Sequence, residues 1–253
     1  MTLTFSPGVW LVTGASSGIG AATAQALARA GATVALAARR FDTCAALAAA
    51  LRSEGHRAEA YALDICDRDA VFALMEKLAK HPEGLAGAFN NAARLEPAAL
   101  LAEMDPTQVR QTMETNVLGQ IWCLQAQLPL LQQRRSGAIV LTGSIAEDAA
   151  LPALAPYAAS KAAVRSIVRS TARGAFEHGV RINLLSPGPT HTPMGHDAFG
   201  GAQALDAASA NSSAGRGAQV EEAAAAALWL LSEQAGFING AELVVDGGYS
   251  LGG

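Results

Sequence analysis

The chain has 253 residues, of which 51% are hydrophobic and 16% charged, enough apolar material for one large α/β domain or two small ones and too much for global disorder. Lys plus Arg number 18 and Asp plus Glu 22, and the net charge of -4 lacks the basic surplus of a nucleic-acid binder. The longest apolar run, Ala223 to Leu231, is too short to span a bilayer, and the opening MTLTFSPG lacks the basic-then-apolar pattern of a secretion signal. Cys44, Cys66 and Cys123 are odd in number and far apart, so they read as reduced packing thiols of a cytoplasmic protein. No histidine pair has metal-binding spacing; His191 and His196 come nearest, and no metal site is expected.

Short runs rich in Val, Ile and Leu alternate with longer amphipathic Ala/Leu segments, the pattern of βαβ units with a parallel sheet covered on both faces. The predicted strands are Val9–Thr13, Thr33–Ala38, Arg57–Ala62, Leu85–Phe89, Gly137–Thr142, Arg181–Leu185 and Glu242–Val245. The predicted helices are Gly18–Arg29, Thr43–Glu54, Arg68–Lys80, Pro106–Arg134, Pro156–His178 and Gln219–Ser232. The stretch Gly195 to Gly217 is rich in Gly, Ala and Ser and has little periodicity, so it reads as a long loop, a lid over a site or a surface insertion.

The first strand runs into Thr13-Gly14-Ala15-Ser16-Ser17-Gly18-Ile19-Gly20 and then a helix. Glycines let the backbone turn tightly and approach a phosphate, and the helix N-terminus offers free N–H groups and a positive dipole end. Gly14, Ser16, Ser17, Gly18, Ile19 and Gly20 are therefore candidate cofactor-binding residues. The second strand ends in Ala38-Arg39-Arg40. A carboxylate at the Ala38 position would accept from a free ribose 2′-hydroxyl; Arg39 and Arg40 instead suit a 2′-phosphate, which favours NADP(H) over NAD(H). Asp64, beside Ile65 after the third strand, is either an acceptor for an adenine amino group or a helix cap, with Asp67 a rival for the capping role. Asn90, Asn91, Ala92 and Ala93 follow the fourth strand, where small residues let backbone lie along a cofactor.

Tyr157 and Lys161 are four apart in a predicted helix, about 40° apart on one face. An ammonium about 4 Å from a phenol, at an effective dielectric near 20, favours phenolate by about 4 kcal/mol, roughly three pKa units. That would bring Tyr157 from near 10 toward a useful working value for a general acid/base. Ser144 follows the fifth strand and can donate to a substrate oxygen as charge develops there. Asn116, a poor helix former inside a predicted helix, suits a buried role such as holding a water in a proton relay.

Together these pieces resemble the short-chain dehydrogenase/reductases, in particular their 3-oxoacyl-carrier-protein reductases. The resemblance covers Val9 to Gly248 and rests on TGASSGIG, LDICD, NNAA, Asn116, Ser144, YAASK at Tyr157 to Lys161, SPGPTHTPM at Ser186 to Met194, and VDGGY. It implies a single-domain, doubly wound Rossmann fold over residues 1–253 with a seven-stranded parallel sheet, a lid around 189–218, and frequent homotetramers. It implies that Tyr157 is the acid/base, that Ser144 polarises the carbonyl, that Lys161 binds the nicotinamide ribose and lowers the tyrosine pKa, and that Asn116 supports the relay. Pro187, Gly188, Thr190 and Thr192 would line the nicotinamide. The expected activity is interconversion of a ketone and a secondary alcohol; the alternatives are a non-catalytic NADP(H)-binding sensor or scaffold, or an epimerase or dehydratase on the same fold. The small residues Ala158, Ala159, Ala162 and Ala163 would allow close helix contact between subunits or pack inside one. Ala93 replaces the family's usual glycine. Glu147 and Asp148 are expected in a solvated turn or against substrate, and His191 as an exposed polar residue or a substrate contact.

Overall fold

The computed structural model describes residues 2–148 and 153–251. Seven strands form one parallel sheet: β1 Val9–Thr13, β2 Thr33–Ala38, β3 Ala58–Ala62, β4 Leu85–Asn90, β5 Gly137–Thr142, β6 Val180–Pro187 and β7 Glu242–Val245. Their order is β3-β2-β1-β4-β5-β6-β7. The helices are α1 Gly18–Arg29, α2 Phe41–Ser53, α3 Arg68–Ala79, α4 Pro106–Met113, α5 Gly119–Arg134, α6 Ala155–Phe176, α7 Pro193–Phe199, α8 Ala202–Ser209 and α9 Val220–Leu231. This is the doubly wound fold that the alternating pattern predicts.

The period-two geometry of a strand sorts its apolar residues between two cores. Val9 and Leu11 of β1 join α3, α5 and α6 on one face, through Leu74, Leu124 and Val168 among others. Trp10 and Val12 join α1, α2 and α9 on the other, through Leu27, Leu51 and Leu230. Because both faces are covered, β1, β2 and β4 are buried along their whole length, and their sequences read as continuous apolar runs rather than alternating ones. The strand order reverses between β1 and β4, so the loops after those strands diverge and leave a crevice at the carboxyl edge, where ligands bind in open α/β sheets.

Two expectations are corrected. The helix predicted over Pro106–Arg134 is interrupted by a π turn, Glu114–Leu118, between α4 and α5. The wider turn accommodates one extra residue and turns Asn116 inward, where its side chain finds backbone partners. The stretch Gly195 to Gly217 is not a featureless loop, because it carries most of α7 and all of α8. Thr192 caps α7 by accepting from the Gly195 N–H at 2.9 Å, Pro193 occupies the first turn, and Gly200 ends the helix at φ 83°. These helices are too short to show periodicity, and only their stop and start residues mark them. The excursion is pinned at its base, where Thr190 bridges Ala218 and the Ala218 N–H donates to the Pro189 carbonyl at 2.9 Å.

Arg181 of β6 is buried and caps the end of α9. Its guanidinium donates to the carbonyls of Leu230 (2.8 Å), Leu231 (3.2 Å) and Ser232 (2.9 Å), groups that a helix C-terminus leaves without partners.

Candidate active site

The loops after β1, β2, β4, β5 and β6 converge at the carboxyl edge of the sheet. After β1, Gly14 at φ 68° and Gly18 at φ 56° take left-handed conformations that glycine alone adopts readily. A Cβ at Gly20 would lie 2.4 Å from the Gly14 carbonyl oxygen and 2.6 Å from Asn91 Nδ2, so no larger residue fits. Ser17 stands at the N-cap of α1 without using its side chain as a cap, which leaves the first N–H groups of the helix open. Ile19 packs into the core beneath them. This cradle of bare backbone and open N–H groups fits the phosphates of a dinucleotide.

At the tip of β2, Arg40 donates from Nη2 to Ser17 Oγ at 2.7 Å and to Ser16 Oγ at 3.0 Å. Both Arg39 and Arg40 are exposed. Arg40, rather than Arg39, is therefore the arginine attached to the glycine loop. After β3, Asp67 caps α3 by accepting from the Ala70 N–H at 3.0 Å. Asp64 accepts from the Cys66 N–H at 3.0 Å and is exposed, which leaves its second oxygen open to a ligand. Ile65 is buried against Gly119 at the start of α5.

After β4, Asn90 is committed to the core: it exchanges two 2.8 Å hydrogen bonds with Gln127. Only its backbone faces the crevice edge. Asn91 and Ala92 are held by their N–H groups, both donating to Thr13 Oγ1 at 3.1 Å, and Gln120 Nε2 donates to the Ala92 carbonyl at 2.7 Å. Ala93 is half-buried and lies next to Arg94, whose backbone meets Asn116.

Ser144 leaves β5 in extended conformation and accepts from the Ala146 N–H at 3.1 Å. Across from it, α6 presents Tyr157 and Lys161. The N-terminus of α6 is fixed by Glu96, a buried carboxylate that accepts from the Tyr157 N–H at 3.0 Å and from Thr112 Oγ1 at 2.7 Å. Asn116 Oδ1 accepts from the Arg94 N–H at 2.7 Å, and its Nδ2 donates to the Arg94 carbonyl at 2.8 Å and to Ser160 Oγ at 3.0 Å. The sequence pattern missed Glu96 and Gln120, which lie in no motif, and gave no role to Thr13 and Ser160 inside TGASSGIG and YAASK; the partners of all four are set by contacts that only the fold creates.

Lys161 is 1% exposed and donates from Nζ to the Thr142 carbonyl at 2.8 Å, while Nζ stands 5.5 Å from the Tyr157 ring centre. Burial pushes the Lys161 ammonium down to about 8, opposed by the negative charge of Glu147. Burial pushes the Tyr157 phenol up to about 12; the Ser144 hydroxyl favours the phenolate, and the charges of Glu96 and Glu147 oppose it. The expected depression of Tyr157 is thus not met. The ammonium is anchored on the Thr142 carbonyl at the end of β5, and loss of hydration is the largest influence on the phenol.

After β6, a Cβ at Gly188 would lie 2.7 Å from Asp246 Cβ, and Thr190 Oγ1 donates to the Gly188 carbonyl at 2.9 Å. Pro187 ends β6, and the Thr192 side chain reaches back to within 3.0 Å of where a Gly18 Cβ would stand. The β6 loop therefore closes over the glycine loop.

Other sequence expectations fall differently. Glu147 is not in a solvated turn: its side chain is 1% exposed, while Asp148 stays 70% exposed. His191 is largely covered, with Nδ1 3.2 Å from His196 Nε2 and Nε2 3.1 Å from Asp206 Oδ1. Among the described residues, no group of three or more His, Cys, Asp or Glu could hold a metal ion. Cys44 and Cys123 are buried, but Cys66 is exposed, 3.3 Å from Thr115 Oγ1, and so is not a packing thiol. No helix among the described residues is long and apolar enough to cross a membrane.

A family model described as Enoyl-(Acyl carrier protein) reductase matches residues 14–250. A 2,5-dichloro-2,5-cyclohexadiene-1,4-diol dehydrogenase from Sphingobium indicum is 36% identical over 242 residues, 95% of this chain and 96% of the relative. The chain belongs to the short-chain dehydrogenase/reductase family. A second relative of this dehydrogenase/reductase is an A-factor type gamma-butyrolactone 1'-reductase (1S-forming) from Streptomyces virginiae, 38% identical over 245 residues and 95% of each chain. Among solved structures, a gluconate 5-dehydrogenase from Burkholderia cenocepacia J2315 in complex with NADP and tartrate superposes with a TM-score of 0.92 at 30% identity, covering 99% of this chain and 98% of that one. Membership makes the protein an oxidoreductase acting on CH–OH groups.

Proposed function

We propose that the protein interconverts a ketone and a secondary alcohol with NADP(H), using Tyr157 as general acid/base. The observation that carries this reading is the single chain of contacts from cofactor loop to reacting group. Gly20 abuts Asn91, Asn91 Oδ1 accepts from Thr142 Oγ1 at 3.3 Å, and the Thr142 carbonyl accepts from Lys161, one helical turn from Tyr157.

Gly14, Ser16, Ser17, Gly18, Ile19 and Gly20 would hold the pyrophosphate side of the dinucleotide, and Arg39 and Arg40 its 2′-phosphate. Asp64, Ile65 and Asn90 to Ala93 would border its adenosine and ribose portions. Pro187, Gly188, Thr190 and Thr192 would border the nicotinamide. The cofactor supplies or accepts the hydride. In reduction, Ser144 donates a hydrogen bond to the carbonyl oxygen, and Tyr157 donates the proton that makes it a hydroxyl. A phenol held near 12 keeps that proton until a developing alkoxide takes it. In oxidation Tyr157 takes the proton back, and the Lys161 ammonium stabilises the resulting phenolate. Asn116, through Ser160 and the Arg94 backbone, positions α6 and holds the relay that refills the phenol. The excursion over residues 189–218 is read as the lid that shapes the pocket and excludes water.

The exposed faces of Ala159 and Ala162 on α6 support a homo-oligomer, a tetramer or dimer, and the three free cysteines support a cytoplasmic setting. The test is a panel of 3-oxoacyl, cyclic, aromatic and sugar-like carbonyls with NADPH and with NADH, following cofactor consumption and product together. Turnover with net NADPH oxidation and an alcohol product supports the reading. Tight NADPH binding with no carbonyl reduced, or product formed without net cofactor use, overturns it.

A further inference from the structure

Behind the Ser144, Tyr157 and Lys161 group lies a second buried polar layer. Tyr157, Lys161 and Arg165 succeed one another at spacings of four on α6, so they share one face. Across from them, the short turn after β5 carries Ser144 and, three residues on, Glu147. Glu147 thus faces Arg165 as Ser144 faces Tyr157: Arg165 Nη2 lies 3.1 Å from Glu147 Oε1. The same guanidinium contacts Asp148, and its Nε lies 3.1 Å from Glu242 Oε2 on β7. Ser186, on β6, donates to Glu242 Oε1 at 2.7 Å and reaches Glu147 Oε1 at 3.4 Å. Ser186 also presses on Gly143, where an added Cβ would lie 2.4 Å from its Oγ, so this layer backs directly onto the residue before Ser144.

The layer is not a closed ion pair. Glu147 Oε2 is buried and has no hydrogen-bond partner among the described residues, and the side chain is 1% exposed. An unsatisfied buried carboxylate oxygen costs stability. One guanidinium serves three carboxylates here, Glu147, Asp148 and Glu242. The excess negative charge in the layer falls beside a buried ammonium, Lys161, whose hydrogen-bond partner among the described residues is a neutral carbonyl.

We propose that Glu147 is a positioning residue of the reaction, whose carboxylate, clamped by Arg165, Ser186 and Glu242, fixes the Ser144 turn against α6 and holds Lys161 in its charged form. The inference rests on the reading of Tyr157 and Lys161 as the reacting pair. Burial and the neighbouring Glu242 push Glu147 up to about 7, with Arg165 opposing, and burial lowers Lys161 to about 8. Carboxylate and ammonium therefore coexist chiefly in the narrow interval between those two values. The titratable groups facing Glu147 are Arg165, Tyr157 and Lys161 on α6, Glu242 on β7 and the adjoining Asp148.

The test needs neither substrate nor cofactor. The chain has three lysines, and Lys77 and Lys80 are exposed, so Lys77→Arg with Lys80→Arg leaves Lys161 as the only lysine. Its ¹³Cε signal in the lysine-labelled protein is followed against pH. The wild-type trace is expected to carry two inflections, one from Glu147 and one from Lys161 itself. In Glu147→Gln the first disappears and the Lys161 midpoint falls by roughly one pH unit, while Glu147→Asp restores both. A single inflection in the protein with Glu147 intact overturns the proposal whether or not the variants fold. So does an unchanged midpoint in Glu147→Gln, or an equal shift in Glu147→Asp, which would assign the effect to packing. Because no turnover is read, these results stand apart from the carbonyl panel, which tests the reaction itself.

Discussion

Asn116 Nδ2 lies 3.0 Å from Ser160 Oγ, and Ser160 in turn donates to the Tyr157 carbonyl at 2.7 Å. A side chain in the π turn between α4 and α5 is thereby joined to the first turn of α6. The same amide satisfies both backbone groups of Arg94. Asn116→Ala would leave these buried groups unpaired at about 1–3 kcal/mol. The expected result is a melting temperature lower by several degrees, with turnover lost beyond what the remaining folded fraction explains; thermal denaturation and kcat measured on the same samples check both.

Tyr157→Phe removes the hydroxyl and keeps the ring. If Tyr157 moves the proton, kcat falls by about 10²–10⁴ while NADPH affinity, read by fluorescence titration, stays within about twofold. A variant retaining most of its rate on a substrate of the wild-type protein would remove Tyr157 from the mechanism.

The arginines at the tip of β2 separate two contributions to cofactor choice. Arg40 is attached to Ser16 and Ser17, whereas Arg39 is exposed. Charge-assisted contacts to a 2′-phosphate are worth about 1.5–3 kcal/mol each, so Arg39→Ala and Arg40→Ala should each lower the kcat/KM ratio of NADPH to NADH by about 10- to 100-fold. Ratios unchanged in both variants would refute the phosphate assignment. Arg40→Ala should additionally weaken NADH binding, because it also releases the serines of the glycine loop.

Stability should depend on pH through two buried groups with opposite slopes. Glu147 rises from 4.5 to about 7 on folding, so the folded state holds its proton longer, and stability falls as pH climbs through that interval. Lys161 drops from 10.5 to about 8, so the unfolded chain holds the extra proton, and stability recovers as pH climbs from 8 toward 10.5. Each swing is about 3 kcal/mol. Urea denaturation at a series of pH values should lose the first slope in Glu147→Gln and the second in Lys161→Met. A variant whose curve runs parallel to the wild type would show that its group has no such shift.

The sequence carried the sheet and most of its helices because β1, β2 and β4 are continuous apolar runs and the crossover helices are long enough to show their period. Strand and helix ends moved by no more than two residues. The glycine loop, Ser144, Tyr157 and Lys161 were legible because fixed spacings tie their chemistry to local backbone. What could not be read was set by long-range packing. The π turn at Asn116 depends on Arg94, 22 residues away, and the burial of Glu147 depends on β7. The helices α7 and α8 were hidden by brevity. The Tyr157 phenol was misjudged because helical spacing gives the angle between two side chains but not how deeply the fold buries them.

Arg181 ties β6 to the last carbonyls of α9, and Ile238 and Asn239 beyond that helix bond back to Asn183 and Ile182. The segment from α9 to β7 is thus tied at several points to β6, the strand next to the sheet edge. The amides of α9 and β7 should exchange with solvent together with those of β6, as one cooperative unit. Release of that unit would also free Glu242, so the far edge of the sheet and the layer behind Ser144 share one opening event.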